Sequence, residues 1–149
     1  MTHKAIRRNM LRAAAFVAAS AILAAAPRSC GLASLQGNYG FTITGQILSG
    51  PSAGLVSGVA LTTFNGDGTL TQVDHVLHNG QTPPEAWRSA TGAYTLNSNC
   101  TGTMQVVFTD GSPTLNLYIV LDSLRWQIRT VVDANAITSI GTKQGAESE

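Results

Sequence analysis

The run GLVSGVALTTFNGDGTLTQVDHVLH, residues 54–78, decides the fold class. Two alternating stretches, Gly54 to Phe64 and Thr69 to His78, flank Asn65-Gly66-Asp67-Gly68, residues that accept the positive φ of a tight hairpin. Period-two alternation puts successive side chains on opposite faces, so the run reads as two antiparallel strands joined by a short turn. Clusters of the same kind recur at Asn97-Ser98-Asn99 and Asp110-Gly111-Ser112-Pro113. From residue 38 onward no stretch sustains a helical period.

Working outward from that hairpin, eight strands are expected: Asn38 to Leu48, Gly54 to Phe64, Thr69 to His78, Ala86 to Leu96, Gly102 to Thr109, Thr114 to Leu121, Arg125 to Val132 and Ala136 to Lys143. Short connections make neighbours antiparallel, and eight strands with one apolar face can close on themselves, which removes exposed edges. The expected fold is all-β, an up-and-down β-barrel, with a two-sheet β-sandwich as the alternative. Inward-facing rows are Tyr39, Phe41 and Ile43; Met104, Val106 and Phe108; Leu115, Leu117, Ile119 and Leu121; and Trp126, Ile128 and Thr130. Arg125, Gln127 and Arg129 are expected to face water.

Upstream, Met1 to Arg12 carries Lys4, Arg7, Arg8 and Arg12 with no acid, and residues 13–26 are an uncharged run ending in three alanines. That is the pattern of a secretory signal peptide. A membrane anchor needs about 20 apolar residues, and Pro27, Arg28 and Ser29 interrupt the run. The domain reading is therefore a signal peptide over 1–26, one barrel over 27–144 and a frayed polar tail over 145–149, in a protein that is secreted or periplasmic and does not stay inserted in a membrane after processing. The processed chain keeps five Lys and Arg against eight Asp and Glu, a net charge of −3. Scattered cations of that number exclude tracking a nucleic-acid backbone. Mean hydropathy of +0.11 excludes a disordered chain.

Cys30 and Cys100 are the two cysteines. In an oxidising compartment an even count makes a disulfide the default, here pinning the N-terminal segment across the domain. They lack the paired spacing of a metal site, and neither a metal nor another cofactor is expected.

Candidate chemistry is sparse. Gly50-Pro51-Ser52-Ala53-Gly54 spells a nucleophile elbow, but it joins two strands instead of a strand and a helix and reads as a loop. His75 and His78 fall on opposite faces of one strand, which excludes a metal pair. His75 shares a row with Val73 and Leu77 and is the candidate to point into the barrel as an acid or base. Asp74 and His78, on the other face with Val76, read as a solvated surface pair. Glu85, in the proline-bearing Gln81-Thr82-Pro83-Pro84-Glu85 loop after His78, is placed at the barrel rim together with Trp87 and Arg88. Residues 63–74 follow a calcium loop loosely, with Thr63 at the first place and Asp74 at the last where the pattern wants Asp and Glu. Asn99-Cys100-Thr101 fits a glycan acceptor, with the expected disulfide half in its middle.

The segments Gly37-Asn38-Tyr39-Gly40-Phe41, Phe64-Asn65-Gly66-Asp67-Gly68 and Gly92-Ala93-Tyr94-Thr95-Leu96-Asn97, the last leading to Cys100-Thr101-Gly102-Thr103, resemble a family of small secreted bacterial proteins of unassigned activity. The resemblance covers nearly the whole processed chain and implies a small antiparallel barrel similar in outline to the allene oxide cyclase and dirigent-type barrels. It supplies no catalytic residue. Independently of it, Gly37 and Gly40 bend the first strand while Tyr39, Phe41 and Tyr94 fill the interior.

Two uses of such a barrel are open. The first is binding of a small apolar ligand, with Tyr39, Phe41, His75, Tyr94, Phe108 and Trp126 as contact candidates, or a purely structural role. The second is a cyclase or isomerase acting on an apolar substrate, with His75 or Glu85 moving the proton.

Overall fold

The computed structural model describes residues 29–145. The signal-peptide reading of 1–26 lies outside the described residues, as does all of the tail beyond Gly145. A short 3₁₀ turn, Leu32–Ser34, precedes eight strands: β1 Gln36–Ile47, β2 Gly54–Asn65, β3 Thr69–His78, β4 Arg88–Leu96, β5 Thr101–Phe108, β6 Leu115–Leu121, β7 Gln127–Val132 and β8 Ala136–Lys143. Each strand pairs antiparallel with the next. β1 also pairs with β8, from Tyr39 opposite Lys143 to Gln46 opposite Ala136, so the sheet closes into a barrel and the sandwich alternative is set aside.

Three of the hairpin turns share one local device. The carboxylate of Asp67 accepts from the Thr69 amide and hydroxyl, that of Asp110 accepts from the Ser112 amide, and the Asn99 side-chain oxygen accepts from the Thr101 amide and hydroxyl. Such bonds to the residue two places on fix a turn in place of a backbone bond. They also hold the Asp67 carboxyl below its ordinary value, the Thr69 hydroxyl contributing most. Asp67 and Asp74, the acids of the calcium-loop pattern, are thereby separated, Asp67 in the turn and Asp74 buried in the barrel wall.

Closure makes the interior a matter of parity. At Gly92 a Cβ would sit 2.0 Å from the Gln105 carbonyl oxygen, and at Gly45 2.1 Å from that of Ala136, so side chains are excluded where neighbouring strands approach. Gly37 has φ of 97°, the left-handed conformation expected where β1 begins. Gly40 has no positive φ, and the bend assigned to it is a place where the Gln144 side chain covers the strand.

The two ends of the barrel differ. At one end Tyr39, Phe64 and Tyr94 stack edge to face, with centroids 5.4 and 5.3 Å apart. The buried Leu35 lies over them, and the Tyr94 hydroxyl donates to the carbonyls of Leu32 and Leu35. The Cys30–Cys100 disulfide, with Cα atoms 5.0 Å apart, staples this plug to the β4–β5 turn. The Tyr39 hydroxyl donates to the Arg125 carbonyl at 2.9 Å. Arg125 itself has φ of 62° and turns the chain, so the alternation of β7 begins only at Gln127. For that reason Trp126 is 44% exposed, against its expected place in the inward row, while Ile128 and Thr130 are buried as expected.

Replacing both Cys30 and Cys100 by Ser is expected to lower stability by about 4 kcal/mol on the chain-entropy model for a loop of this size, measured as the urea midpoint. Burial first, and Asp122 next, push the Tyr39 phenol up to about 12. A folded value above the unfolded one means that its stabilisation is complete below the ordinary tyrosine range and is lost as pH rises through the folded value. Tyr39→Phe is expected to cost about 1 kcal/mol at neutral pH and to flatten the alkaline loss of stability, as followed by thermal melts against pH.

Candidate functional site

At the end opposite the plug, the β1–β2, β3–β4, β5–β6 and β7–β8 connections surround the mouth of a cavity of about 810 Å³. That is within the range of small-molecule sites. Its walls are mainly apolar, with Phe41 and Ile43 from β1, Val56 from β2, Val106 and Phe108 from β5 and Ile137 from β8. A second depression of about 400 Å³ lies between the outer faces of β4, β5 and β6. Four of its polar side chains are bonded in pairs, Thr95 to Thr103 and Gln105 to Asn116.

A polar row crosses the apolar wall of the main cavity. The register places Thr62 opposite Gln72 and Asp74 opposite Arg88. Thr62 donates to the Gln72 side-chain oxygen at 2.9 Å. Arg88 grips Asp74 with two bonds, Nε to Oδ1 at 3.0 Å and Nη2 to Oδ2 at 2.9 Å, and a third runs from Nη1 to the Ser112 hydroxyl at 3.3 Å. The guanidinium carbon lies 3.6 Å from the centroid of the Phe108 ring, a cation–π contact. Asp74 is only 3% exposed, whereas the Arg88 side chain is 26% exposed. On the far wall the Thr130 and Ser139 hydroxyls bond each other at 2.7 Å. At the mouth, the Asp110 carboxyl is held below its ordinary value by the Ser112 amide first and the Ser112 hydroxyl second, with the charge of Arg88 adding to them.

The residues proposed from sequence divide into three groups. Phe41 and Phe108 line the cavity. Tyr39 and Tyr94 lie in the aromatic plug at the closed end, and Trp126 lies in the turn before β7. His75 and Glu85 are absent from the cavity wall. The His75 ring is turned outward, where Nδ1 donates to the Ala86 carbonyl at 2.7 Å and Trp87 stands 6.2 Å away. Glu85 is exposed in the β3–β4 connection.

The expected parity of β3 is thus reversed. Gln72, Asp74, Val76 and His78 line the interior, and Asp74 and His78 are no surface pair. The apolar Val73 and Leu77 favour the wrong face, because β2 and β3 carry apolar side chains outward, among them Val59 and Leu61. The signal that resolves it spans the hairpin: Phe64 pairs with Leu70, so these two apolar residues share a face, and even-numbered residues follow inward from Leu70. The same reasoning from Tyr94 along β4 brings Arg88 inside, although the strand itself begins two residues later than expected.

His78 reaches Ser52 of the elbow-like sequence, but its Nε2 donates to the backbone carbonyl at 2.6 Å and not to the hydroxyl. The bond therefore ties two mouth connections together and activates no nucleophile. No family model, curated protein or solved structure matches the chain.

Removing one half of a buried ion pair strands the other. Arg88→Met is expected to cost about 3–5 kcal/mol in urea unfolding, whereas Asp74→Leu combined with Arg88→Met is expected to recover most of that loss.

Proposed function

We propose that the chain is exported and that its barrel holds a small, mainly apolar molecule in the open-ended cavity. The observation that carries this reading is the contrast between the two ends of one barrel. An aromatic plug fills one end, and about 810 Å³ of apolar-walled space opens to the surface at the other. A barrel with only a structural role gains by filling its interior, because every unfilled volume forfeits packing. The Cys30–Cys100 disulfide supports export, since such bonds persist in oxidising compartments. The outline shared with allene oxide cyclase and dirigent-type barrels belongs to this proposal as a likeness of shape only.

The enzymatic alternative, a cyclase or isomerase using His75 or Glu85, draws no support from their positions, since neither lines the cavity. Asp74 is 3% exposed and both its oxygens already accept from Arg88, which leaves it badly placed to meet a substrate.

Native mass spectrometry of the processed protein is expected to show a co-purifying small molecule. Ala60, a cavity-wall residue that is 5% exposed, offers the place to block it. Ala60→Trp is expected to reduce binding of the uncharged fluorophore phenylnaphthylamine at least tenfold, and His75→Ala to leave it unchanged. Equal binding by wild type and Ala60→Trp overturns the reading.

A further inference from the structure

The cavity wall also carries information on the occupant's polar group, given that the cavity-binding reading holds. We infer that the occupant presents an uncharged oxygen acceptor, a carbonyl or a hydroxyl, to the Arg88 guanidinium, with its apolar body against Phe41, Val56, Val106 and Ile137.

The first support is a count of donors. A guanidinium has five N–H groups in a fixed fork. Three of those of Arg88 are engaged, one by each Asp74 oxygen and one by Ser112. The other two, one on each Nη, find no acceptor among the described residues. Phe108 covers one face of the guanidinium, and the N–H groups point outward in its plane, so an acceptor meets them along the edge. Arg88 is the more exposed partner of the pair and lines the cavity. Gln72 adds to the excess, since its side-chain oxygen is occupied by Thr62 while its amide nitrogen reaches only the Asp74 oxygen at a long 3.5 Å. The polar row therefore offers hydrogens, and a ligand replacing water there must bring lone pairs.

The second support is charge. The acids and bases lining the cavity are Asp74, Arg88 and Asp110, with His78 at the mouth. One guanidinium already faces two carboxylates, so an anionic head brings a third negative charge to a single cation. A cationic head meets Arg88 itself, while Asp74 already accepts from Arg88 at both oxygens and Asp110 is a rim carboxylate held by the Ser112 amide. Neutral heads avoid both penalties in a setting where water is partly displaced and screening is weak.

The test compares four probes with the same bicyclic body, acetylnaphthalene, ethylnaphthalene, naphthoate and naphthylmethylamine, as competitors of phenylnaphthylamine on the purified chain. Acetylnaphthalene is expected to bind about tenfold or more tightly than the other three, the scale of a hydrogen bond to a charged donor. Asp74→Leu combined with Arg88→Met keeps the space and removes the Arg88 donors to which the oxygen is assigned, and it is expected to bring acetylnaphthalene level with ethylnaphthalene. Equal binding of all four probes, tighter binding of naphthoate or of the amine, or a carbonyl preference that survives in the double variant overturns the assignment of the head group while leaving the cavity in use. Failure of every probe and of the fluorophore overturns the cavity reading as well.

Discussion

The ladder between β1 and β8 is the constraint on which the rest depends. Eight consecutive residues of each strand are in register, Tyr39 to Gln46 against Lys143 to Ala136. With that ladder formed the sheet has no edge, and every strand has one face turned inward. Parity then determines which side chains are enclosed, whatever their polarity. Asp74 is enclosed and Val59 is not for this reason, although isolated side-chain preference would reverse them.

Closure also gives the barrel its difference between ends. Among the described residues, the segment before β1 lies at one end of the cylinder, where Cys30 is bonded to Cys100 and Leu35 is buried. Tyr39, Phe64 and Tyr94 complete the filling, with the two hydroxyls satisfied by backbone carbonyls. Among the described residues, the opposite end has connecting loops alone, and the inward rows there present Ile43, Val56 and Ile137 around open space instead of interlocking rings. One end is thus filled and stapled, and the other encloses open space.

Placing an ion pair in that apolar wall has a physical cost, because two charges leave bulk water. The arrangement offsets it fully only for Asp74, which is buried and gripped at both oxygens. Arg88 has the aromatic face of Phe108 and one hydroxyl bond, and retains donors toward the cavity. A purely stabilising pair is satisfied on both sides. The imbalance here is what makes this row the chemically distinctive part of the interior.

The fold class was legible in residues 54–78 because a hairpin is a local object: turn residues with positive φ and alternating flanks need no distant partner. The same locality made the strand ranges legible, and the disulfide followed from the count of two cysteines. Alternation alone does not say which of two rows faces inward, and in β3 it favoured Val73, His75 and Leu77 over the row that holds Asp74. Trp126 was misplaced for a related reason, since the turn at Arg125 interrupts the count. The sequence by itself determined the strands, their order and the sulfur bridge, all set by short-range backbone geometry and residue number. Only the tertiary structure decided that Asp74 meets Arg88 inside, that His75 stands outside and that one end stays open, because those facts depend on how eight strands close around a common axis.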